Sequence, residues 1–149
     1  MGLGRRRSFR IFGWITNEYG NYSNHENGYI QSPTFDFSSL TLPKIEFSLW
    51  WYCENYNDGA FFQYSIDSGS TWQNVGAYGD PDWYNTGYVF GLGLNSPGFS
   101  GSSQGWIKAS HNFQPTVTGI AILKFTFGSN PLLEDEGWAI DDICITEPI

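Results

Sequence analysis

The stretch KIEFSLWWYC, residues 44–53, alternates between two series of side chains. The first series is almost wholly apolar and consists of Ile45, Phe47, Leu49, Trp51 and Cys53. The second series is Glu46, Ser48, Trp50 and Tyr52. A period of two is that of an extended strand with one face on the core, because successive side chains point to opposite faces. The pattern therefore predicts a strand whose first series faces inward.

Similar patterns recur along the chain, separated by Gly, Asn, Asp and Ser turns. They predict further strands at roughly 10–16, 28–37, 60–66, 71–78, 86–91, 104–112, 119–128 and 137–146. A length of 149 residues suits one domain. We expect residues 11–149 to form an all-β, antiparallel two-sheet jelly-roll β-sandwich. The long segment between Tyr78 and Gln104 favours a jelly roll, because it resembles a crossing connection.

Charge limits the classes of partner. Fifteen acids face seven bases, and four of the bases are arginines within residues 1–10. The acidic remainder repels phosphate backbones, so we expect no nucleic-acid binding. Residues 1–10 form either a basic interaction tail or a disordered or vector-derived leader. No apolar run approaches the roughly 20 residues of a membrane span, so we expect no membrane insertion.

Catalytic and cysteine signals are sparse. His25 and His111 are the only histidines, and no Gly-x-Ser-x-Gly elbow is present. Cys53 and Cys144 are too few for a zinc site or a disulfide framework, which leaves one bridge or two thiols as open alternatives. The sequence thus predicts a protein that is not an enzyme.

The stretch EGWAIDDICI, residues 136–145, contains two adjacent acids in an apolar strand pattern. Strict alternation places Asp141 and Asp142 on opposite faces, which excludes them as a mutual glycosidase pair. One of them is expected to be buried, and a buried carboxylate needs a cation or hydrogen-bond donors. Calcium would supply that charge through oxygen ligands. The predicted calcium ligands are Asp142, Asp141, Glu136, Asn24 and Glu26. The alternatives are backbone N–H donors, Lys124 or Lys44.

Aromatic side chains supply the candidate ligand surface. Trp83 and Tyr84 follow Gly-Asp-Pro-Asp in the long loop, where flat rings next to polar groups suit sugars or protein partners. The predicted platform consists of Tyr78, Asp80, Asp82, Trp83, Tyr84, Asn85 and Tyr88. The alternative is that Trp83 folds back as a plug over one end of the sandwich. A second candidate is Tyr52 with Tyr56, whereas Trp51, Trp72, Trp106 and Trp138 are expected in the core.

Five segments in order carry a family resemblance: SPTFDFS at 32–38, DGAFFQYSIDSGSTW at 58–72, GWIKASHNF at 105–113, ILKFTFGSN at 122–130 and EGWAIDDICI at 136–145. Together they resemble the MAM-like, concanavalin-type jelly-roll modules of secreted and surface bacterial proteins. The resemblance implies a β-sandwich without a catalytic role, often with a structural calcium ion near the terminal strands.

The family also implies a function and a location. We expect a non-catalytic carbohydrate-binding or surface-attachment module of a larger protein that is secreted or on the cell surface. Its signal peptide would then lie elsewhere in that protein. The expected partner is a polysaccharide or a cell-surface glycan. The alternatives are a protein–protein adhesion module that binds another chain and a purely structural spacer.

Overall fold

The fold is given by a computed structural model, which describes residues 5–8, 14–17, 19–93 and 96–147, with the backbone alone described at 5–8. Within these residues there are eleven strands and one short 3₁₀ helix. The strands are β1 Arg5–Ser8, β2 Trp14–Ile15, β3 Asn27–Gln31, β4 Phe35–Asp36, β5 Lys44–Tyr52, β6 Gly59–Ser65, β7 Gln73–Asn74, β8 Phe99–Ser100, β9 Ile107–Asn112, β10 Ile120–Gly128 and β11 Gly137–Glu147. The 3₁₀ helix spans Phe90–Leu92. No helix in the described ranges is long and apolar enough to cross a bilayer.

The strands form two antiparallel sheets. Sheet A has the order β1-β11-β5-β9, with β2 also pairing with β11. Sheet B has the order β3-β10-β6-β7, with β4 on β10 and β8 on β6. Ring contacts join the sheets: Phe47 of sheet A lies 5.6 Å from Phe62 and 6.1 Å from Phe125 of sheet B. The predicted all-β sandwich of two antiparallel sheets is confirmed, and its jelly-roll connectivity stays a prediction.

Strand β5 has the predicted orientation. All five members of its apolar series, Ile45 to Cys53, are buried, whereas Trp50 is half-buried and Tyr52 is exposed on the outer face. On the inner face the Trp51 ring stacks on that of Trp138, with centroids 5.0 Å apart and planes 6° from parallel. Such aromatic packing adds to the free energy gained by burying apolar area.

A β-bulge in β11 overturns the predicted alternation of its second half. Asp141 pairs with Ser48 and Cys144 with Glu46, so two residues of β11 lie opposite the single residue Phe47. At the bulge Asp142 takes a left-handed conformation with φ of 53°. The extra residue shifts the phase, as bulges do, so that Ile140 and Ile143 both face the core. Asp141 is half-buried and Asp142 exposed, so neither is the buried acid that the sequence predicted.

Other boundaries also differ from expectation. Arg5–Ser8 pairs with the end of β11, so the predicted leader is a strand there; residues 1–4 and 9–10 of that leader, and 10–13 of the predicted first strand, lie outside the described residues. The strand predicted at 86–91 is wrong, since Phe90–Leu92 is a 3₁₀ helix. Trp106 is exposed and Trp72 half-buried, not in the core.

Candidate functional site

The centre of the predicted aromatic platform lies in the core. Trp83 is 6% exposed and Tyr84 is 2% exposed. The Trp83 indole N–H donates to the carbonyl of Val75 at 2.7 Å. The Tyr84 hydroxyl donates to the carbonyl of Phe62 and accepts from its N–H, both at 3.0 Å. Because their faces are covered, these two rings cannot stack on a ligand. The alternative, that Trp83 folds back into the sandwich, describes its position.

The acids of the same loop attach it to the edge of sheet A. Asp80 Oδ2 accepts from the backbone N–H of Ala77 at 2.8 Å and from His111 Nε2 at 2.7 Å. Both bonds hold the pKa of Asp80 below its ordinary value, and the bond from Ala77 has the larger effect on the pKa. The carbonyl of Asp82 accepts from Ser110 N–H at 3.2 Å. Asp80 and Asp82 therefore make hydrogen bonds within the protein, whereas the sequence predicted that they contact a ligand.

The remaining predicted ligand residues are dispersed. Asn85 pairs with the backbone of Ser100 through both ends of its amide, at 2.8 and 2.9 Å. Tyr78, Tyr88, Tyr52 and Tyr56 are exposed. No ring contact joins these four tyrosines among the described side chains, so the structure does not show the predicted platform as one surface.

The five predicted calcium ligands also fail to converge. Asp141 and Asp142 lie at the bulge of β11, whereas Glu136 precedes that strand. Glu26 is bonded locally, since its Oε2 accepts from Ser23 N–H at 3.0 Å, and Asn24 is exposed. In the described part of the chain, no three His, Cys, Asp or Glu residues are placed to hold a metal ion. This ligand set does not fit one calcium ion.

Calcium binding itself stays a prediction of the family resemblance. An ion held only by the native state raises the melting temperature by mass action. We therefore expect chelation to lower the melting temperature and added calcium to restore it, measured by thermal unfolding. Asp142→Asn is expected to leave that shift unchanged, because Asp142 is exposed at the bulge. A melting temperature that is the same with and without the chelator would contradict the prediction of a bound calcium ion.

Among the acids that the structure describes, Asp58 is the buried one. Its side chain is fully buried. Asp58 Oδ2 accepts from the Tyr22 hydroxyl at 2.5 Å and Oδ1 accepts from Asn130 N–H at 2.7 Å. Burial raises the pKa of Asp58 and also that of Tyr22. Neutral donors, and no described cation, therefore compensate this acid.

The two cysteines are not joined by a disulfide. Cys53 is buried beside the Asp58 network, and its thiol donates to the carbonyl of Asp58 at 3.2 Å. Burial raises the pKa of the Cys53 thiol to about 12, which keeps it protonated and unreactive at neutral pH. Cys144 is half-buried in β11. Of the two alternatives left open by the sequence, a bridge or two thiols, the structure therefore shows two thiols.

A groove crosses the outer face of sheet B. Its volume is about 440 Å³, within the range of small-molecule sites. It is lined by His25, Glu26, Asn27, Phe61, Gln63, Gly91, Leu92, Gly93, Lys124, Thr126 and Ser129. We call it the sheet B groove. Strands β6 and β10 form its floor, and the segments 25–27 and 91–93 border it.

Strand register explains which side chains meet on the floor. Lys124 pairs with Gln31 on β3 and with Gln63 on β6, so two amides flank its ammonium stem. Two residues further along β10, Thr126 pairs with Tyr29 and Phe61 in the next row. Since side chains two residues apart share a face, both rows point outward from the sandwich.

Thr126 is the most unusual residue of the floor. It is buried, yet its Oγ1 has no hydrogen-bond partner among the described residues. A buried polar atom without a partner costs about 1–3 kcal/mol. A ligand hydroxyl would supply the missing bond once the groups that cover Thr126 Oγ1 shift, since this oxygen is itself covered in the unbound chain.

Two aromatic rings that are not part of the groove lining lie against Lys124. The ammonium lies 4.0 Å from the centroid of the Trp72 ring and 5.4 Å from that of Tyr29. Cation–π attraction at such distances holds a lysine head in place. Tyr29 is 59% exposed, so much of its ring is open to a ligand.

Of the residues that line this groove, the sequence predicted a ligand role for Glu26 alone and named Lys124 only as a possible partner of the aspartates in β11. A usable signal was nevertheless present, because Lys124 and Thr126 occupy the outward positions of an otherwise apolar strand pattern at 119–128. Which loop would border that face depends on long-range pairing, which local patterns do not contain. The groove could therefore be recognised only in the three-dimensional structure.

No model of a known protein family matches the chain, and a search of curated proteins also finds no match. The MAM-like resemblance accordingly stays a prediction from the residues that carry it.

Proposed function

We propose that this protein is a non-catalytic carbohydrate-binding module of a larger secreted or surface protein, and that it binds glycans in the sheet B groove. The observation that carries the proposal is the buried, unpaired Oγ1 of Thr126 on a groove floor of ligand-sized volume. A glycan hydroxyl both donates and accepts, so it suits a threonine hydroxyl that lacks a partner.

The surroundings of Thr126 have the chemistry that sugars need. Asn27 and Gln63 offer amide donors and acceptors to ring hydroxyls. The exposed ring of Tyr29 offers a flat face to the C–H face of a sugar. A polar groove with an aromatic flank thus favours a carbohydrate over a wholly apolar ligand.

The groove also supports the non-catalytic part of the proposal. Glycosidases use two carboxylates about 5–10 Å apart across the scissile bond. Glu26 is the one acid among the lining residues that the structure describes, and its Oε2 already accepts from Ser23 N–H. A hydrolase in this groove would lack the second carboxylate.

Two substitutions on the groove floor and flank test the proposal. Tyr29→Ala is expected to weaken binding about ten-fold, which corresponds to about 1.4 kcal/mol. Thr126→Val is expected to weaken it about five-fold while leaving stability unchanged or slightly higher, because the lost hydroxyl has no partner in the protein. Affinity electrophoresis and calorimetry on a panel of polysaccharides measure the binding, and urea unfolding measures the stability.

The matched control is Tyr78→Ala. Tyr78 is 62% exposed, close to the value for Tyr29, but it belongs to the originally predicted loop platform. We expect it to bind glycan as the native protein does. A loss at Tyr78 with none at Tyr29 would move the site to the loop, and an absence of retention on every polysaccharide would refute the glycan proposal.

A protein–protein adhesion module is the second candidate, favoured by the outer face of sheet A. Ile15, Ala139 and Trp50 form one row across β2, β11 and β5. Tyr52 lies on the same face and is exposed. Ile15 is also exposed, whereas Trp50 is half-buried and Ala139 is buried. Exposed apolar side chains on one face favour contact with another chain. Strong self-association in sedimentation, without glycan binding, would favour this candidate.

A further inference from the structure

Of the described residues that line the sheet B groove, Lys124 is the one lysine or arginine. It occupies the middle of β10, with the neutral amides of Gln31 and Gln63 as its cross-strand neighbours. The other charged residue of the lining, Glu26, uses Oε2 to accept from Ser23 N–H. The position of Lys124 therefore gives the groove a single localised positive charge.

No carboxylate neutralises that charge. The ion pairs found among the described side chains are Lys44 with Glu46 and His111 with Asp80, and neither involves Lys124. Its ammonium instead rests against the rings of Trp72 and Tyr29. Burial lowers the pKa of Lys124, with no acid to offset the effect. A partly desolvated cation is stabilised when an anion reaches it.

The spacing of Lys124 and Thr126 suggests the size of the ligand group. Residues two apart along a strand have Cα atoms about 6.6 Å apart, which is comparable with one monosaccharide unit. A sugar that places a carboxylate at the ammonium would bring a ring hydroxyl near Thr126 Oγ1. One ligand unit would then satisfy both groups that the protein leaves without a partner.

The charge of the whole chain limits the density of negative charge on the ligand. The formal net charge of −8 repels polyanions such as sulfated or phosphorylated polymers. A single carboxylate on an otherwise neutral ring gains the local contact and meets less of this repulsion.

We propose that the sheet B groove recognises an acidic sugar, a uronic acid unit of a glycan, whose carboxylate binds Lys124 and whose ring hydroxyl bonds to Thr126 Oγ1. This inference rests on the proposed glycan function and adds the class of sugar to it. Lys124 thereby determines specificity, whereas Tyr29 and Thr126 contribute to affinity for neutral and acidic sugars alike.

The test compares short neutral oligosaccharides that carry one terminal uronic acid unit with the same oligomers after reduction of that carboxyl group to an alcohol. Calorimetry on the native chain is expected to give about ten-fold tighter binding to the acidic form, and added salt should reduce that preference through screening. Lys124→Gln should bind both forms equally, at the affinity of the reduced oligomer. Lys124→Arg, which keeps the charge, should retain most of the preference.

Lys108→Gln is the matched control, because Lys108 is an exposed lysine on β9 of sheet A. It should keep the full preference, and melting curves confirm that each variant is folded. Equal binding of acidic and reduced oligomers by the native chain would overturn the inference and leave the glycan function standing. Binding of neither form, nor of any neutral glycan, would remove the function and the inference together. An oligoglutamate peptide that binds as tightly as the uronides would overturn the assignment to a sugar.

Discussion

Asp58→Ala is expected to reduce the free energy of unfolding by about 3–5 kcal/mol, a large share of the 5–15 kcal/mol typical of a domain. The substitution removes the acceptor of the Tyr22 hydroxyl and of the Asn130 N–H, and both donors are buried. Each donor left without a partner costs about 1–3 kcal/mol, and the lost side-chain volume adds a cavity. Urea unfolding followed by tryptophan fluorescence measures the change.

Asp58→Asn is the matched variant and should cost about 1 kcal/mol or less. The asparagine keeps its shape, its Oδ1 can accept from Asn130 N–H, and its Nδ2 can donate to the Tyr22 oxygen. Because burial raises the pKa of Asp58, this carboxyl group binds a proton more tightly in the folded state than in the unfolded state. Its stability relative to Asp58→Asn should therefore rise as pH falls from the raised pKa toward about 3.9, the ordinary aspartate value.

The comparison also separates two explanations for the buried acid. If hydrogen bonding alone retains Asp58, the asparagine variant stays close to the native chain at neutral pH. A loss for Asp58→Asn as large as that for Asp58→Ala would instead mean that the charge itself is needed. That result would contradict compensation by neutral donors and direct attention to a bound cation.

The strands were largely predictable because burial imposes a period of two on the sequence. The pattern of β5 at 44–53 was sufficient by itself, and both its inner and outer series have the predicted orientation. In β11 the same rule failed at Asp142, where a left-handed backbone inserts one residue. Bulges depend on the register of the partner strand, which alternation within one strand does not contain.

The candidate site was predictable only in its chemistry. The many aromatic and amide side chains favoured glycan recognition. Trp83 was expected to be exposed in the long loop, but its ring is buried. The Trp83 indole N–H donates to the backbone carbonyl of Val75. A long loop can place its largest ring in the core when the core offers such an acceptor. Lys124 and Thr126 looked like ordinary outward residues, and their importance follows from what borders them.

Gly128→Ala is expected to be the other strongly disruptive substitution, costing about 3 kcal/mol. Gly128 ends β10 where the segment around the 3₁₀ helix crosses it. A methyl group there would overlap the carbonyl oxygen of Gly91 and lie 3.1 Å from Leu92. The reciprocal change at Gly91 would bring a methyl group within 2.7 Å of the carbonyl oxygen of Gly128. Two backbones in contact cannot yield as a flexible side chain would, so the 3₁₀ helix must move.

This displacement links stability to binding, because Gly91 and Leu92 border the sheet B groove. We therefore expect Gly128→Ala to weaken glycan binding more than ten-fold even under conditions in which the variant remains folded. Gly20→Ala is the control, since Gly20 is exposed and an added methyl group would meet nothing within 4 Å. It should change neither urea unfolding nor binding. Normal glycan affinity in a folded but destabilised Gly128→Ala protein would show that the 3₁₀ helix is not part of the binding site. The site would then be restricted to the strand residues and the segment 25–27.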